Sequence, residues 1–138
     1  MLFRYNHNIE IEKEANALEF SKSSMRKALC RYARLGLFKT DRSTLEIAAR
    51  IRGCISRAED ANAVFAVYEA FRCLHALGDE ETIHAVKAVY LTEPWHHLPA
   101  KEISRRVLRF SIEHHCDERT VWRRLRRFVS LYEGFQRL

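Results

Sequence analysis

Residues 110–128, FSIEHHCDERTVWRRLRRF, decide how the rest of the chain is read. Asp117 is a natural helix N-cap, because a short carboxylate can accept a hydrogen bond from an amide in the first turn. After it, Val121, Leu125, Phe128 and then Tyr132 recur at steps of four, three and four, so they share one helical face. Phe110 and Cys116 stand on the other side of the interruption, and Ser111 is small enough to let two helices approach closely. The stretch therefore predicts two helices locked across a tight turn at His115-Cys116, the second helix running to Gly134. No glycine occupies that turn.

The same stretch is basic, with five arginines inside Arg119–Arg127. A helix-turn-helix unit needs apolar residues to lock the pair, a cap to start the second helix, and long polar side chains on that helix's free face. With Asp117 as the cap, Glu118, Arg119, Trp122 and Arg123 point away from the Val121–Leu125 face. Arginine forks to guanine O6 and N7 are the commonest base contact, so Arg119 and Arg123 are the candidate readers of sequence. Glu118 could accept from a cytosine amino group, and Trp122 could pack on the backbone or on a thymine methyl. Lys101, Arg105, Arg106, Arg109, Thr120, Arg124, Arg126 and Arg127 are assigned to phosphates, which position a protein without specifying sequence. The competing assignment is a solvated amphipathic helix, or one that meets an acidic protein.

Working back along the chain, Pro99 suits the first position of the preceding helix, in which Ile103, Val107, Phe110 and His114 share a face. Thr92–Leu98 is a loop. A helix is expected from Ser21 to Leu35, stopped by Gly36. Ser43-Thr44-Leu45-Glu46 has the form of a capping box and opens a helix to about Arg57. Asp60 is placed to cap a long helix with the stripe Val64, Val67, Tyr68, Phe71 and Leu74. Gly78 stops it, and Asp79 caps a fourth helix carrying Ile83, Val86 and Tyr90. No segment alternates like a strand. The expected fold is all-α with about six helices: a polar arm or short helix over 1–20, a helical core over 21–91, and a helix-turn-helix region over 92–138 forming one compact unit with the core.

Composition agrees. The chain has 138 residues but only four glycines and two prolines, so few positions break a helix. Its net charge of +6 is unevenly spread: −2 over 1–19, +8 over 20–57, −5 over 58–98 and +5 over 99–138. Two basic blocks flanking an acidic middle are expected where two faces meet a polyanion and a third does not. No apolar run is long enough to span a bilayer, so no membrane partner is expected. The N-terminus has no signal-peptide pattern, and the cysteines at 30, 54, 73 and 116 form no C-x-x-C pair. The first three fall in apolar helical patterns, and a reducing cytoplasm is the expected home.

Catalytic signatures are missing: there is no glycine-rich phosphate loop, no G-x-S-x-G and no convergent pair of acids. An enzyme is not expected, and neither is a cofactor. Cys116 at a helix N-terminus could be an activated thiol, though a turn residue filling the helix–helix core accounts for it more simply. His96, His97, His114, His115 and Cys116 could in principle surround zinc, but they lack the tighter ligand pairs of structural zinc sites, so no metal is expected.

The segments Ala100-Lys101-Glu102-Ile103-Ser104 and Asp117-Glu118-Arg119-Thr120-Val121-Trp122-Arg123-Arg124-Leu125 together resemble the helix-turn-helix of the promoter-reading fourth region of sigma-70-type factors. After a helical N-terminal portion in a chain of this size, the pattern is similar to small phage transcriptional regulators of the ArpU/RinA type. It departs from the sigma pattern in the spacing: several extra residues separate Ile103 from Val121. Either the preceding helix is about two turns longer, or Phe110-Ser111 takes the place of Ile103-Ser104. The resemblance implies transcriptional control of phage or mobile-element genes. It also implies double-stranded DNA as partner and RNA polymerase as a second one, and a homodimer reading two half-sites is compatible with it. The rival function is an adaptor that docks on RNA polymerase or another phage protein without reading DNA.

Overall fold

The computed structural model describes residues 24–39, 43–92 and 98–137. The arm expected over 1–20 and most of the loop expected over 92–98 lie outside these residues. The described chain is all-α. Helix α1 covers 24–34, and a single 3-10 turn follows at Leu37–Lys39. The others are α2 Thr44–Cys54, α3 Ala58–Ala76, α4 Glu80–Tyr90, α5 Ala100–Glu113 and α6 Glu118–Gln136. Among the described residues there is no strand.

Three of the expected starts are made by the side chains that the sequence offers. Ser43 Oγ accepts from the Glu46 amide at 3.3 Å, Asp79 from the Thr82 amide at 3.2 Å, and Asp117 from the Arg119 amide at 3.0 Å. Two starts differ. Helix α2 ends at Cys54 rather than near Arg57, and Arg57 itself is the N-cap of α3, with no side-chain cap bond. Asp60 falls inside the first turn of α3 and pairs with Arg31 at 3.1 Å instead of capping. Burial of eight residues along α3 stabilises it far more than the kilocalorie or so that a cap contributes. Pro99 sits one position earlier than expected, as the N-cap of α5 with an extended ψ of 156°.

One hydrophobic core runs from Met25 to Tyr132. Phe71 of α3 is at its centre: it stacks on Tyr32 of α1 at 5.6 Å, meets Phe38 edge-on at 5.0 Å, and lies 4.8 Å from Phe128 of α6. Helix α6 packs on α3 and on both α4 and α5, so it belongs equally to the N-terminal bundle and to the C-terminal helix pair. Cys54, expected in an apolar pattern, is exposed.

The α3–α4 and α5–α6 turns share one backbone solution. After α3, Gly78 takes φ +71°, while the amides of Gly78 and Asp79 donate back to the carbonyls of His75 and Leu74. After α5, the amides of His115 and Cys116 donate back to Ile112 and Ser111, and His115 takes φ +52°. A left-handed residue followed by these paired bonds satisfies carbonyls that a helix end leaves open. Glycine fills the position once and an exposed histidine fills it once. In α6 the situation is reversed: Gly134, expected to stop the helix, lies within it, and an added Cβ there would meet nothing within 4 Å.

Exchanging these two residue types should therefore stabilise the fold at both places. His115→Gly relieves left-handed strain, partly offset by a more flexible unfolded chain, for a net gain of roughly 0.5–1 kcal/mol. Gly134→Ala, close to the end of its helix, should add about 0.5 kcal/mol. Urea denaturation followed by circular dichroism reads both, and a lower midpoint for either variant contradicts the assignment.

Candidate nucleic-acid interface

The α5–α6 pair carries every residue singled out as a DNA contact. Its lock is formed by Phe110, Val121 and Leu125, none more than 3% exposed, with buried Ser111 at the close approach and Cys116 packed against the core from the turn. The His114 ring stacks on Phe110 at 3.8 Å, and its Nδ1 lies 3.1 Å from the Phe110 carbonyl oxygen. His114 thus closes the turn from outside rather than extending the apolar face of α5, where its spacing placed it.

The five arginines of α6 separate into two sets. Arg119, Arg123 and Arg126, at steps of four and three, form one stripe opposite the buried face, and all three are exposed. Arg123 leans back on Thr120, whose Oγ1 accepts from its Nη2 at 3.4 Å. Among the described residues none of the three has an acidic partner. Arg124 and Arg127, three apart, turn instead toward the N-terminus of α4. There Arg124 Nη2 meets Glu81 Oε2 at 3.2 Å and Arg127 Nη1 meets Asp79 Oδ2 at 3.0 Å.

A third arginine holds the other end of α4. Arg106, expected to contact phosphate, is buried, with only 6% of its side chain exposed. Its Nη1 donates to the Val89 carbonyl at 2.9 Å and its Nε to Glu102 at 3.3 Å. Val89 lies in the last turn of α4, whose carbonyls have no partner inside the helix, and a cation there also complements the helix dipole. Burial removes Arg106 from any surface a phosphate could reach, so that assignment is corrected. Arg106 is a side-chain cap for α4.

The other expected contacts are at the surface. Lys101, Arg105 and Arg109 are exposed on α5, Arg105 lying 3.7 Å from Glu102. Glu118 is exposed in the first turn of α6. Trp122, expected to face a base, is half-buried and packs against the core. Helical phase alone could have separated Arg119, Arg123 and Arg126 from Arg124 and Arg127. Nothing in the sequence marks Arg106 as buried, or shows that Arg26 spends its Nη1 on the Leu98 carbonyl at 2.8 Å.

Among the described residues no group of three His, Cys, Asp or Glu side chains is placed to hold a metal ion; His96 and His97 lie outside them. No described helix is long and apolar enough to cross a membrane. No family model, curated protein or solved structure matches the chain.

The division of arginines into supports and surface cations has a measurable consequence. Arg106→Ala leaves the Val89 carbonyl and Glu102 without their buried donor and should cost about 2–3 kcal/mol of stability. Arg109→Ala, at an exposed position, should stay within about 0.5 kcal/mol of the parent. Equal urea midpoints for the two variants would contradict the capping role.

Proposed function

We propose that the chain binds double-stranded DNA as a transcriptional regulator, with the first turns of α6 in the major groove. The observation that carries this is the stripe Arg119, Arg123 and Arg126, exposed at the N-terminal half of a helix whose opposite face is locked into the core. A rigid helix presenting unpaired arginine forks suits the guanine edge. Arg119 and Arg123 are the base readers in this proposal, with Glu118 beside them. Arg126 lies on the same stripe one turn further along and reaches either a base or a phosphate. Lys101, Arg105 and Arg109 contact flanking phosphates, while Arg124 and Arg127 act chiefly by holding α6 on α4. Control of phage or mobile-element genes rests on the resemblance to the ArpU/RinA-type regulators.

A second proposal is favoured by one specific feature. Leu108 and Ile112 are 45% and 65% exposed on the outer face of α5, beside Arg105 and Arg109. An apolar pair set among cations suits an acidic, partly hydrophobic protein surface such as one on RNA polymerase. DNA and protein docking separate by their dependence on salt and on these leucine and isoleucine side chains.

Selection from a random duplex pool should recover a preferred sequence, whose binding weakens steeply with salt through counterion release. Arg119→Ala and Arg123→Ala should each reduce specific binding by about 1–3 kcal/mol and relax specificity. Arg109→Ala should weaken all duplexes alike and lower the salt slope by about one. Leu108→Ser/Ile112→Ser should leave the gel shift unchanged. No gel shift on any duplex at low salt would remove the DNA proposal.

A further inference from the structure

The block 20–57 carries a net charge of +8, yet none of the DNA contacts proposed above falls within it. Part of that charge is used internally: Arg26 donates to the Leu98 carbonyl, and Arg31 pairs with Asp60 at 3.1 Å. Three of the block's arginines meet at one place. Arg31, Arg34 and Arg57 line a cleft of about 350 Å³ together with Asp60 and with Leu35, Cys54, Ile55 and Ser56. Arg50 joins its rim by donating Nε to the Leu35 carbonyl at 3.1 Å. Arg34, Arg50 and Arg57 are exposed. Of the acids on α3 at this end, Asp60 in the cleft wall is engaged by Arg31, and Glu59 is exposed.

The position of this cleft matters as much as its charge. Arg57 and Asp60 fix it at the N-terminal end of α3. The reading half of α6 is tied to the other end, because Asp79 and Glu81, just beyond the C-terminus of α3, hold Arg127 and Arg124. Helix α3 has 19 residues, so these two ends are about 28 Å apart. Along α3 between them the charged residues are Glu69 and Arg72, paired with each other at 3.5 Å. A duplex seated on the first turns of α6 is thus separated from the cleft by about the length of α3.

We infer that this arginine cleft is a second, sequence-independent binding surface for the DNA backbone, and that it takes a different duplex from the one read by α6. Its cations are arginines throughout, whose planar forks bind phosphate oxygens in pairs, and the surface is concave, as a phosphate ridge requires. The chain would then bridge two DNA segments from opposite poles. The bridging rests on the proposed action of α6, whereas backbone binding at the cleft does not.

The test captures one duplex with another. A biotinylated 30-base-pair duplex on beads and a fluorescent 30-base-pair duplex of unrelated sequence are mixed with the full chain at low salt. The parent protein should retain the fluorescent duplex on the beads. Arg34→Gln/Arg50→Gln/Arg57→Gln, with unchanged circular dichroism and melting temperature, should lower that retention at least tenfold while still shifting a single duplex in a gel. Arg119→Gln/Arg123→Gln/Arg126→Gln should also lose bridging, but should still bind single duplexes through the cleft with a shallower salt dependence. Undiminished bridging by the cleft variant overturns the inference, as does a parent protein that shifts single duplexes but never bridges them; both leave the proposed role of α6 standing. Full bridging by the α6 variant, lost only in the cleft variant, overturns the role of α6 and the two-pole arrangement together.

Discussion

The arrangement depends on a single apolar stripe along α6. Val121, Leu125, Phe128, Val129 and Tyr132 are at most 2% exposed, and they serve two structures at once. The first two close the α5–α6 turn, while Phe128 packs on Phe71 and Tyr132 reaches α1, its hydroxyl 3.2 Å from Ser24 Oγ. Burial also raises the proton affinity of the Tyr132 phenol. Because the stripe is continuous, the outer face of α6 has no rotational freedom of its own. Turning Arg119 and Arg123 to a new direction would expose the core that holds α1 and α3 in place, at about 25 cal/mol for each Å² of apolar surface uncovered. A surface carried on such a helix is pre-organised, so little conformational entropy is lost when it meets a rigid partner.

Charge is divided with the same economy. The acidic middle of the chain does more than repel a polyanion. Asp79 caps α4, accepts from the Thr82 hydroxyl at 2.8 Å and engages Arg127; Glu81 engages Arg124. With Arg106 on the carbonyl end, α4 is held at both termini by arginines from the two helices that follow it. Each of these cations is attracted to its own protein and contributes correspondingly less to the field outside. The net charge of +5 over 99–138 therefore overstates the positive surface, and the exposed stripe of Arg119, Arg123 and Arg126 accounts for more of it than their number suggests. In the other basic block, Arg26 and Arg31 likewise have partners within the chain, while Arg34 and Arg57 are exposed at the α3 N-terminal cleft.

Most of the helical order was legible because it follows from short-range rules. Val64, Val67, Phe71 and Leu74 mark a buried stripe by spacing alone, and Ser43, Asp79 and Asp117 act on amides two or three residues ahead. Misreadings arose where a local preference competed with a distant partner. Asp60 looks like a cap until Arg31 claims it, and Gly134 looks like a stop until the packing of Tyr132 carries the helix past it. Long cationic side chains were the least legible. An arginine reaches several ångströms from its backbone, so its role is fixed by what the fold brings near. Nothing close to Arg106 in sequence announces the Val89 carbonyl, 17 residues earlier.

The α5–α6 turn, which lacks a glycine and whose bracing register the sequence leaves open, has a direct physical resolution. Cys116 donates its amide to the Ser111 carbonyl at 3.0 Å, and Phe110 and Ser111 are buried where α5 meets α6. Ile103 is also buried, but it lies ten residues before the end of α5, roughly 15 Å along the helix axis, and cannot brace the turn. The lock is therefore Phe110-Ser111, on a helix that also extends back through Ile103. The extra length of α5 places Arg105 about two turns and Lys101 about three turns from the α5–α6 junction. It gives the proposed DNA-binding face a basic arm that a shorter brace helix would lack. A missing glycine did not prevent this geometry, because histidine adopts the left-handed conformation more readily than most residues and His115 is exposed, so no packing is lost by placing it there.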